Sequence, residues 1–424
     1  MEPRIHIRGG TLVDPARDTQ VRADLYLAEG RIVARDAAPD GFRADRVVDA
    51  DGLIVAPGLV DLSVQLREPG FEFRATLDSE LGAALAGGVT AFACPPDTDP
   101  PLDEPGLVEM LTRRAQSLRM ARVYPVGALT QGLEGKRLAE MNDLAGAGCI
   151  AFSQSDRPFA DNTVVLRALQ YAATFGLAVW FRPEDPALAR HGVAHDGEVA
   201  TRLGLPGIPA LAETVALSAI LLMVRETGAR VHVCRISAAD SVALIRDAKA
   251  LRLPVTCDVS AHHVHLSEMD IGYFDARCRL APPLRSLRDR DALARGVADG
   301  TIDAVCSDHC PVAEDGKEVP FGEAEPGAVG LELLLPLALK GADGRSLAAA
   351  LRPVTAGPAR VLGLEIPSLE LGARADLCIF DPAAWWRVTP ESLRSQGKNT
   401  PFLGYELQGR VRYTLVDGRV VFER

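Results

Sequence analysis

Polar residues stand at alternating positions where the first buried apolar run of the chain ends. Asp61, Ser63, Gln65 and Arg67 follow one another at a spacing of two, with aliphatic residues between them. Residues two apart lie on one face of a strand, so we expect these four side chains to share an inward face. Inward polar side chains at successive positions indicate a binding or catalytic site, or the remains of one.

A second candidate group consists of Asp308 and His309, in the segment CSDHCP, and of two arginines that end other apolar runs. Arg182 follows AVWF and Arg235 follows RVHVC. Water without a metal keeps a pKa of roughly 15.7, and a lone carboxylate activates it poorly. We therefore favour a counter-ion role for Asp308 and expect Arg182 or Arg235 within salt-bridge distance of it.

The histidines and cysteines offer alternative ligands for a metal. His262 and His263 precede His265 in SAHHVHL, and a continuing strand would put the last two on one face opposite the first. His191 and His195 lie four apart with no third ligand close in sequence. We favour structural histidines in both places. The 8 cysteines are scattered without a Cys-x-x-Cys pair, which favours buried thiols in a reducing cytoplasm.

The elements that must position these residues repeat one alternation from Gly58 to about Gly363. Short β-branched runs are followed by stretches with apolar residues at three- and four-residue spacing, which predicts strands leading into helices. Eight such strands are expected, beginning near 58, 89, 123, 149, 178, 230, 255 and 303. Helices are expected over 76–86, 163–175, 211–226 and 239–251. The pattern favours a (β/α)8 TIM-type barrel, whose chemistry lies where the strands end.

The two ends of the chain differ from the middle and resemble each other. Both contain short alternating strands with turns, such as ADLYLAEGRIV near the start and GRVRYTLVDGRVVF at the end. Segments this short cannot each close a core alone. We therefore predict a composite β-sandwich domain from residues 1–55 and 366–424, beside a barrel over residues 56–365.

Seven segments in order resemble the amidohydrolases, and dihydroorotases in particular. They are VAPGLVDLSVQLREPG, AGGVTAFACPPDTDP, VHVCRIS, SAHHVHL, APPLR, CSDHCP and NTPFLGYELQGRV. Together they cover nearly the whole chain, and their order is more specific than any one of them. The resemblance implies a barrel enzyme with one or two zinc ions that opens a cyclic amide ring in pyrimidine synthesis.

The resemblance also implies where the zinc ligands of the family fall in this sequence. The corresponding positions are Ser63, Gln65, Gln154, Arg182 and Arg235, and only Asp308 keeps the expected residue type. Zinc prefers imidazole, thiolate or carboxylate ligands, whereas a hydroxyl and carboxamides are weak neutral donors. Arginine stays protonated and repels a dication. We therefore expect no zinc at these positions, no other metal and no cofactor.

The implied substrate pocket is altered as well. Arg67 and His309 match residues that the family uses around its substrate, whereas Asp97 and Ala281 stand where asparagines are expected. A carboxylate at position 97 would repel an anionic dihydroorotate, and Ala281 offers no side-chain hydrogen bond. For Arg67 we favour an ion pair with Glu68, Asp61 or another strand-end acid over ligand binding.

These substitutions lead to an expectation about function. The chain is expected to be a pseudoenzyme that serves as the non-catalytic subunit of an aspartate transcarbamoylase complex, as in the bacterial chains it resembles. The implied partner is the aspartate transcarbamoylase catalytic chain, together with self-association. The alternative is an active dihydroorotase or related cyclic-amide hydrolase with a displaced or single metal. A third hypothesis is a binding module that senses a pyrimidine intermediate.

Composition excludes several other classes. The chain has 424 residues, 46 Lys plus Arg against 57 Asp plus Glu, and a formal net charge of −11. That balance argues against nucleic acid and anionic membrane surfaces as partners. No segment approaches the roughly 20 uninterrupted apolar residues that span a bilayer. A soluble cytoplasmic protein is expected.

Overall fold

The computed structural model describes residues 3–159, 161–342 and 344–424, and eight of its strands form a parallel barrel. The barrel strands are β6 (Leu59–Asp61), β7 (Val89–Cys94), β8 (Arg122–Ala128), β9 (Ala151–Ser153), β10 (Ala178–Phe181), β13 (Arg230–Val233), β14 (Val255–Ser260) and β15 (Ala304–Cys306). They pair in chain order, and Val64 bridges in parallel to His309 at the seam between the first and last strands. All eight predicted strands are present, so the predicted barrel is confirmed.

Helices cover the outside of the barrel and connect its strands. They are α1 (Leu77–Ala86), α2 (Pro105–Leu118), α3 (Met141–Gly146), α4 (Asn162–Phe175), α5 (Pro186–Ala189), α6 (Glu198–Leu203), α7 (Ala210–Thr227), α8 (Ala239–Ala250), α9 (Ala261–His265), α10 (Leu287–Asp299), α11 (Leu334–Lys340), α12 (Leu347–Leu351) and α13 (Ala356–Leu362). The four predicted helices correspond to α1, α4, α7 and α8. Gly176 and Gly228 end α4 and α7 in the left-handed conformation, which glycine adopts without a Cβ clash.

Both ends of the chain contribute to a second sheet. Its strands are β1 (Ile5–Asp14), β2 (Thr19–Ala28), β3 (Arg31–Arg35), β4 (Arg46–Asp49), β5 (Ile54–Pro57), β16 (Leu377–Arg387), β17 (Glu406–Val416) and β18 (Arg419–Glu423). β5 joins the two halves, pairing in parallel with β1 and antiparallel with β16. The strands thus form one continuous eight-stranded sheet to which both termini contribute, as the predicted composite domain requires. A short pair, β11 (Ala194–His195) and β12 (Gly207–Ile208), lies in the connection between α5 and α7.

The terminal sheet packs directly against the barrel through α1 and the segment that follows it. Thr414 Oγ1 donates a 2.6 Å hydrogen bond to the carbonyl oxygen of Leu85. Gly88 has a φ of +79°, and a Cβ at this position would collide with Cys378 Sγ. Only glycine allows the two layers to approach so closely here.

Two local predictions differ from the structure. β6 ends at Asp61, and Arg67 has a φ of +61°, so Ser63, Gln65 and Arg67 follow the strand as irregular backbone. The histidine segment after β14 turns into α9 rather than continuing as a strand. The chain turns into a helix here because the Ser260 side chain accepts a hydrogen bond from the backbone N–H of His262 and so caps the first helical turn.

Candidate active site

Arg235 occupies the centre of the carboxyl end of the barrel, directly after β13. Its Nη1 donates to Asp308 Oδ1 at 2.9 Å, and its Nη2 contacts Asp156 Oδ1. The expected ion pair with Asp308 is therefore present. Burial alone would lower the pKa of Arg235, but Asp156 and Asp308 outweigh it and hold that pKa well above its ordinary value. The guanidinium stays charged and joins the two carboxylates.

Arg182, directly after β10, binds a different set of acids. Its Nε lies 2.8 Å from Asp156 Oδ1, and its Nη1 and Nη2 donate to the two carboxylate oxygens of Glu184 at 2.8 and 3.2 Å. Asp156 is thus shared by both arginines. Burial would raise the pKa of Asp156, but Arg235 and Arg182 together hold it below its ordinary value.

Asp308 lies deeper than Asp156 and is less well compensated. It is 8% exposed, and among the residues that the structure describes it accepts, besides Arg235, only a long 3.5 Å hydrogen bond from the Ser63 hydroxyl. Burial raises the pKa of Asp308 above its ordinary value, and the nearby negative charge of Asp156 raises it further. Arg235 lowers the pKa of Asp308, but not enough to cancel these two effects. A carboxyl with a raised pKa gives up its proton less readily, so among the residues of this ion-pair group Asp308 is the candidate for proton exchange.

Arg67 is held by the barrel rather than directed into open space. Its Nε donates to the carbonyl oxygen of Pro311 at 3.0 Å, and its Nη2 contacts Cys310 Sγ at 2.9 Å. Its nearest carboxylate is Asp97, with Nη1 3.9 Å from Oδ2. The expected strand-end acid is therefore Asp97, and neither Glu68 nor Asp61. Burial raises the pKa of Asp97 despite the attraction of Arg67.

Of the two carboxamides at the expected ligand positions, that of Gln154 forms a side-chain hydrogen bond among the described residues and the oxygen of Gln65 does not. Gln154 Oε1 accepts from Thr130 Oγ1 at 2.8 Å. The backbone N–H of Gln65 donates to the carbonyl oxygen of His309, whereas its buried Oε1 has no hydrogen-bond partner. An unpaired amide oxygen at this depth is a weak neutral donor for a metal or a small ligand.

His309 and Ala281 contribute to the site in ways the sequence did not indicate. His309 accepts from the backbone N–H of Gly330 at Nδ1, which leaves Nε2 to donate to Glu80 at 2.6 Å. His309 therefore faces the interior contact with α1 instead of a substrate. Ala281 contributes its carbonyl oxygen, 3.5 Å from Arg235 Nη1.

The other candidate histidines form structural contacts. His263 Nε2 contacts the carbonyl oxygen of Pro282 at 3.1 Å, and His265 Nε2 contacts that of Leu337 at 2.8 Å. The ring of His262 packs at 5.7 Å from that of Phe402. His195 Nδ1 lies 3.3 Å from Arg285, whereas His191 is exposed. These contacts favour the structural interpretation of each of these histidines except His191.

The strand-end residues do not fit the zinc ions of the family. Two of the positions carry guanidiniums that are already paired with Asp156, Glu184 and Asp308. A metal placed among them would meet two fixed positive charges and would compete with Arg235 for the remaining carboxylate. No reaction step can therefore be assigned to a metal held by these residues.

The space beside the ion pairs is small. A cavity of about 30 Å³ is lined by residues of four barrel strands, β8, β9, β10 and β14, and of segments that follow other strand ends, among them Ser63, Gln65, Arg182, Cys234 and Arg235. A volume of about 10–15 Å³ suffices for one ordered water molecule, whereas pockets for larger organic ligands measure about 300–1,000 Å³. In this arrangement the cavity admits water, and a ring-sized substrate would require the arginine side chains to move.

Sequence reasoning missed the acid that holds this group together. In the segment after β9 it singled out Gln154 as the position of a family ligand, whereas Asp156, two residues later, contacts both arginines. Glu184, the second partner of Arg182, was not singled out either. The available signal was charge balance, because two inward arginines need more than the single carboxylate of Asp308.

A barrel with polar strand ends and a second sheet from both termini is the architecture of an amidohydrolase. The profile described as "Dihydro-orotase-like" matches residues 52–241, and that of the "Amidohydrolase family" matches residues 185–422. A protein of Pseudomonas aeruginosa named "Dihydroorotase-like protein" is 46% identical over 99% of both chains. A "Dihydroorotase" of Geobacter sp. is 39% identical over 98% of this chain and 99% of its own. The chain belongs to the dihydroorotase-like family of amidohydrolases.

Solved structures agree with this assignment of the fold. An L-hydantoinase (dihydropyrimidinase) from Arthrobacter aurescens superimposes with a TM-score of 0.86 at 26% identity, covering 100% of this chain and 96% of its own. A D-hydantoinase superimposes with a TM-score of 0.83 at 22% identity, again over 100% and 96% of the two chains. At 22% identity, the comparison with the D-hydantoinase supports the fold alone.

These comparisons contradict the expectation that the chain is not an enzyme. Several relatives that are about 40% identical along nearly their whole length are named dihydroorotase, and the hydantoinase with the TM-score of 0.86 is a hydrolase by name. The pseudoenzyme interpretation relied on the loss of the zinc ligands and on the altered substrate pocket at Asp97 and Ala281. Loss of one ligand set does not decide whether a barrel of this family catalyses a reaction, because the site and not the fold carries the chemistry.

Among the described residues, none of the helices is both long and apolar enough to cross a membrane.

Proposed function

We propose that this chain is a cyclic-amide hydrolase of the dihydroorotase type, acting at the carboxyl end of its barrel. The observation that carries the proposal is the identity of 39–40% with proteins named dihydroorotase over 98–99% of the chain. The expected reaction class is addition of water to a ring amide and cleavage of its C–N bond.

The residues at the strand ends set strict requirements for such a reaction. Asp308 pairs with Arg235, a residue that lines the water-sized cavity, and burial raises the pKa of Asp308. Asp308 is therefore the candidate for proton transfer between water and the leaving nitrogen. Water without a metal remains a weak nucleophile, so turnover requires either a metal bound outside the strand-end positions or a slow reaction carried by Asp308 alone. Substrate entry requires Arg182 or Arg235 to leave its present ion pairs.

A second candidate function is assembly with the catalytic chain of aspartate transcarbamoylase in pyrimidine biosynthesis. The observation that favours it is the ion-pair group of Arg182, Arg235, Asp156 and Asp308, which fills the reaction centre and supports the barrel without a ligand. A barrel stabilised in this way can serve as a rigid subunit whatever its own activity. The resemblance of the sequence to chains found in such complexes motivates this partner.

One experiment tests both functions. The chain is purified alone and after coexpression with an aspartate transcarbamoylase catalytic chain from the same organism. Ring opening of dihydroorotate and of hydantoin is measured on the first sample, and assembly mass and transcarbamoylase activity on the second. Turnover that disappears in Asp308→Asn supports the hydrolase. Its matched control is Asp299→Asn, an exposed acid on α10 that pairs with Arg246.

The outcomes are separable. If the chain opens neither ring, with or without added metal ions, the hydrolase proposal is contradicted. The assembly proposal is then tested by the mass of the coexpressed complex. Separate elution of the two chains, with transcarbamoylase activity unchanged by this one, would contradict the assembly proposal. A stable complex together with ring opening would support both.

A further inference from the structure

Three chemically suitable ligands for a metal lie together inside the barrel, below the arginine layer. They are His232 and Cys234 on and just after β13, and Asp258 on β14. One ligand atom from each lies within 4.8 Å of the other two, and His232 Nε2 is 3.1 Å from Asp258 Oδ2. None of these residues corresponds to a zinc ligand that the family resemblance implies.

Two of the three side chains are each oriented by a neighbour at one polar atom, and their other polar atoms, His232 Nε2 and Asp258 Oδ2, face each other at 3.1 Å. His232 Nδ1 lies 2.8 Å from the hydroxyl of Thr256, which can accept a hydrogen bond as well as donate one. Asp258 Oδ1 accepts the backbone N–H of Arg235 at 2.5 Å, so Oδ2 faces the histidine. Such outer contacts fix the orientation of ligands in metal sites.

The positive charge of Arg235 is directed away from this cluster. Its guanidinium binds Asp308 and Asp156 at the barrel end, and only its backbone N–H contacts Asp258. The arginine thus contributes a hydrogen bond that orders the carboxylate, while two acids neutralise its charge. A dication below it is repelled far less than one at the strand-end positions.

Room for a further ligand adjoins the cluster. Cys234 and Asp258 both line the cavity of about 30 Å³ at the barrel end. That volume holds one or two water molecules, and a tetrahedral zinc ion with three protein ligands commonly takes a water as its fourth.

We propose that His232 Nε2, Cys234 Sγ and Asp258 Oδ2 bind one zinc ion, with a water molecule from the cavity as the fourth ligand. Zinc bonds of roughly 2.0–2.3 Å place tetrahedral ligand atoms about 3.2–3.8 Å apart, so the side chains must move by about 1 Å or less. Binding breaks the Sγ–H bond of Cys234 and releases that proton to solvent. The imidazole proton of His232, which lies on Nε2 facing Asp258 Oδ2 before the metal binds, moves to Nδ1, and the hydroxyl of Thr256 then accepts a hydrogen bond from Nδ1. A thiolate and a carboxylate then balance the charge of the dication.

This inference deepens the hydrolase proposal by locating its metal, yet it is tested without substrate or partner. The full-length chain is treated with a chelator, dialysed and titrated with Co²⁺, a spectroscopic substitute for zinc. We expect a thiolate-to-cobalt charge-transfer band that saturates at one ion per chain and is displaced by Zn²⁺. The band should disappear in Cys234→Ser and remain in Cys306→Ser, the matched control at a buried cysteine on β15.

A second measurement uses the unaltered protein, in case the serine variant does not fold. Alkylation of each cysteine is followed by mass spectrometry with and without Zn²⁺. We expect zinc to slow the labelling of Cys234 at least tenfold and to leave that of Cys310 within twofold. A cobalt band that persists in Cys234→Ser, or labelling of Cys234 that zinc does not change, would overturn the proposal. Ring opening plays no part in either readout, so the two proposals fail independently.

Discussion

Arg235 Nη1 lies 2.9 Å from Asp308 Oδ1, so an arginine and a carboxylate share the part of the barrel end where the family places its metal ligands. The same guanidinium reaches Asp156, and Asp156 reaches Arg182. The carboxylates that remain are thus neutralised by side chains of the chain itself. This substitution changes what holds the strand ends together, from coordination bonds to charge-assisted hydrogen bonds.

Removal of the central guanidinium should weaken the fold strongly. Arg235→Ala leaves Asp308 buried beside Asp156 without its counter-ion, and breaking a buried pair in this way costs about 3–5 kcal/mol. Asp308→Asn should cost less, because it removes the charge and keeps an oxygen that accepts a hydrogen bond. Urea denaturation of the purified variants measures both free energies of unfolding.

The control for this comparison is Arg246→Ala, which removes an exposed pair with Asp299. Exposed pairs of this kind contribute about 0.2–1 kcal/mol. If Arg235→Ala and Arg246→Ala destabilise the protein equally, the ion pairs at the barrel end do not support the fold.

Restoring the first two histidines of the family should not restore its zinc centre. In Ser63→His with Gln65→His, the guanidiniums of Arg182 and Arg235 still occupy the space of the metals. We expect the double variant to contain no more zinc per chain than the unaltered protein after equal dialysis, as measured by atomic emission. An additional equivalent of zinc in the double variant would show that the arginines can be displaced.

Acid should destabilise the protein through α9. Burial lowers the pKa of His262 to about 3 and the pKa values of His263 and His265 to about 4. In the unfolded chain, histidine has a pKa of about 6.5, so below that pH the unfolded state binds protons that the folded state excludes. These histidines therefore do not lower the free energy of unfolding above about pH 6.5. As the pH falls from there toward 4, the free energy of unfolding decreases by up to roughly 1.4 kcal/mol per pH unit for each histidine.

The variant His265→Gln tests this dependence. Glutamine retains a donor for the carbonyl oxygen of Leu337 and removes one titrating group. Between pH 6.5 and 5, the unfolding free energy of this variant should depend less steeply on pH, by the amount that corresponds to about one fewer proton taken up on unfolding. His191→Gln, at an exposed position, serves as the control and should keep the slope of the unaltered protein. Equal slopes in all three proteins would contradict the assignment.

Glu213 of α7 should prove essential for the start of α8. Helix α8 begins at Ala239, and the residue at its N-cap position, Ala238, has no side chain that can cap the helix. Glu213 orders the residues that lead into the helix by accepting from the backbone N–H groups of Ser237 and Ala238 at 2.9 and 3.1 Å and from the hydroxyl of Ser241 at 2.5 Å. Asp289 accepts from the first backbone N–H of the helix, that of Ala239, at 2.8 Å. Glu213→Ala leaves the buried donors that bind Glu213 unpaired and should cost roughly 3–5 kcal/mol.

Two further variants calibrate that result. Glu213→Gln keeps one acceptor oxygen and should lose less stability than the alanine variant. Glu226→Ala, at an exposed position of the same helix, should change the free energy of unfolding by no more than about 0.5 kcal/mol. Thermal unfolding that does not distinguish Glu213→Ala from Glu226→Ala would rule out this role of Glu213.

The barrel could be predicted from the sequence because each strand and helix has its own local pattern. The run VTAFAC is apolar and β-branched, and the helix over Asn162–Phe175 ends at a glycine that adopts a positive φ. The terminal sheet was predicted only in outline. Its two halves are joined by β5, and pairing between segments this far apart leaves no local signal.

The interior of the site was harder to predict for a related reason. Alternation identifies which residues share a face, but Ser63 and Gln65 lie beyond the end of β6, where alternation no longer applies. The role of Asp156 depends on two arginines from other strands. His232, Cys234 and Asp258 come together only because β13 and β14 are neighbours in the barrel.

The position of β5 has a consequence for synthesis on the ribosome. Its antiparallel partner β16 begins about 320 residues later in the chain. At the usual rate of roughly 5–20 residues per second, one edge of β5 waits on the order of half a minute for that partner. During this interval the nascent chain presents an open strand edge, which is a point where a chaperone or a neighbouring nascent chain can pair with it.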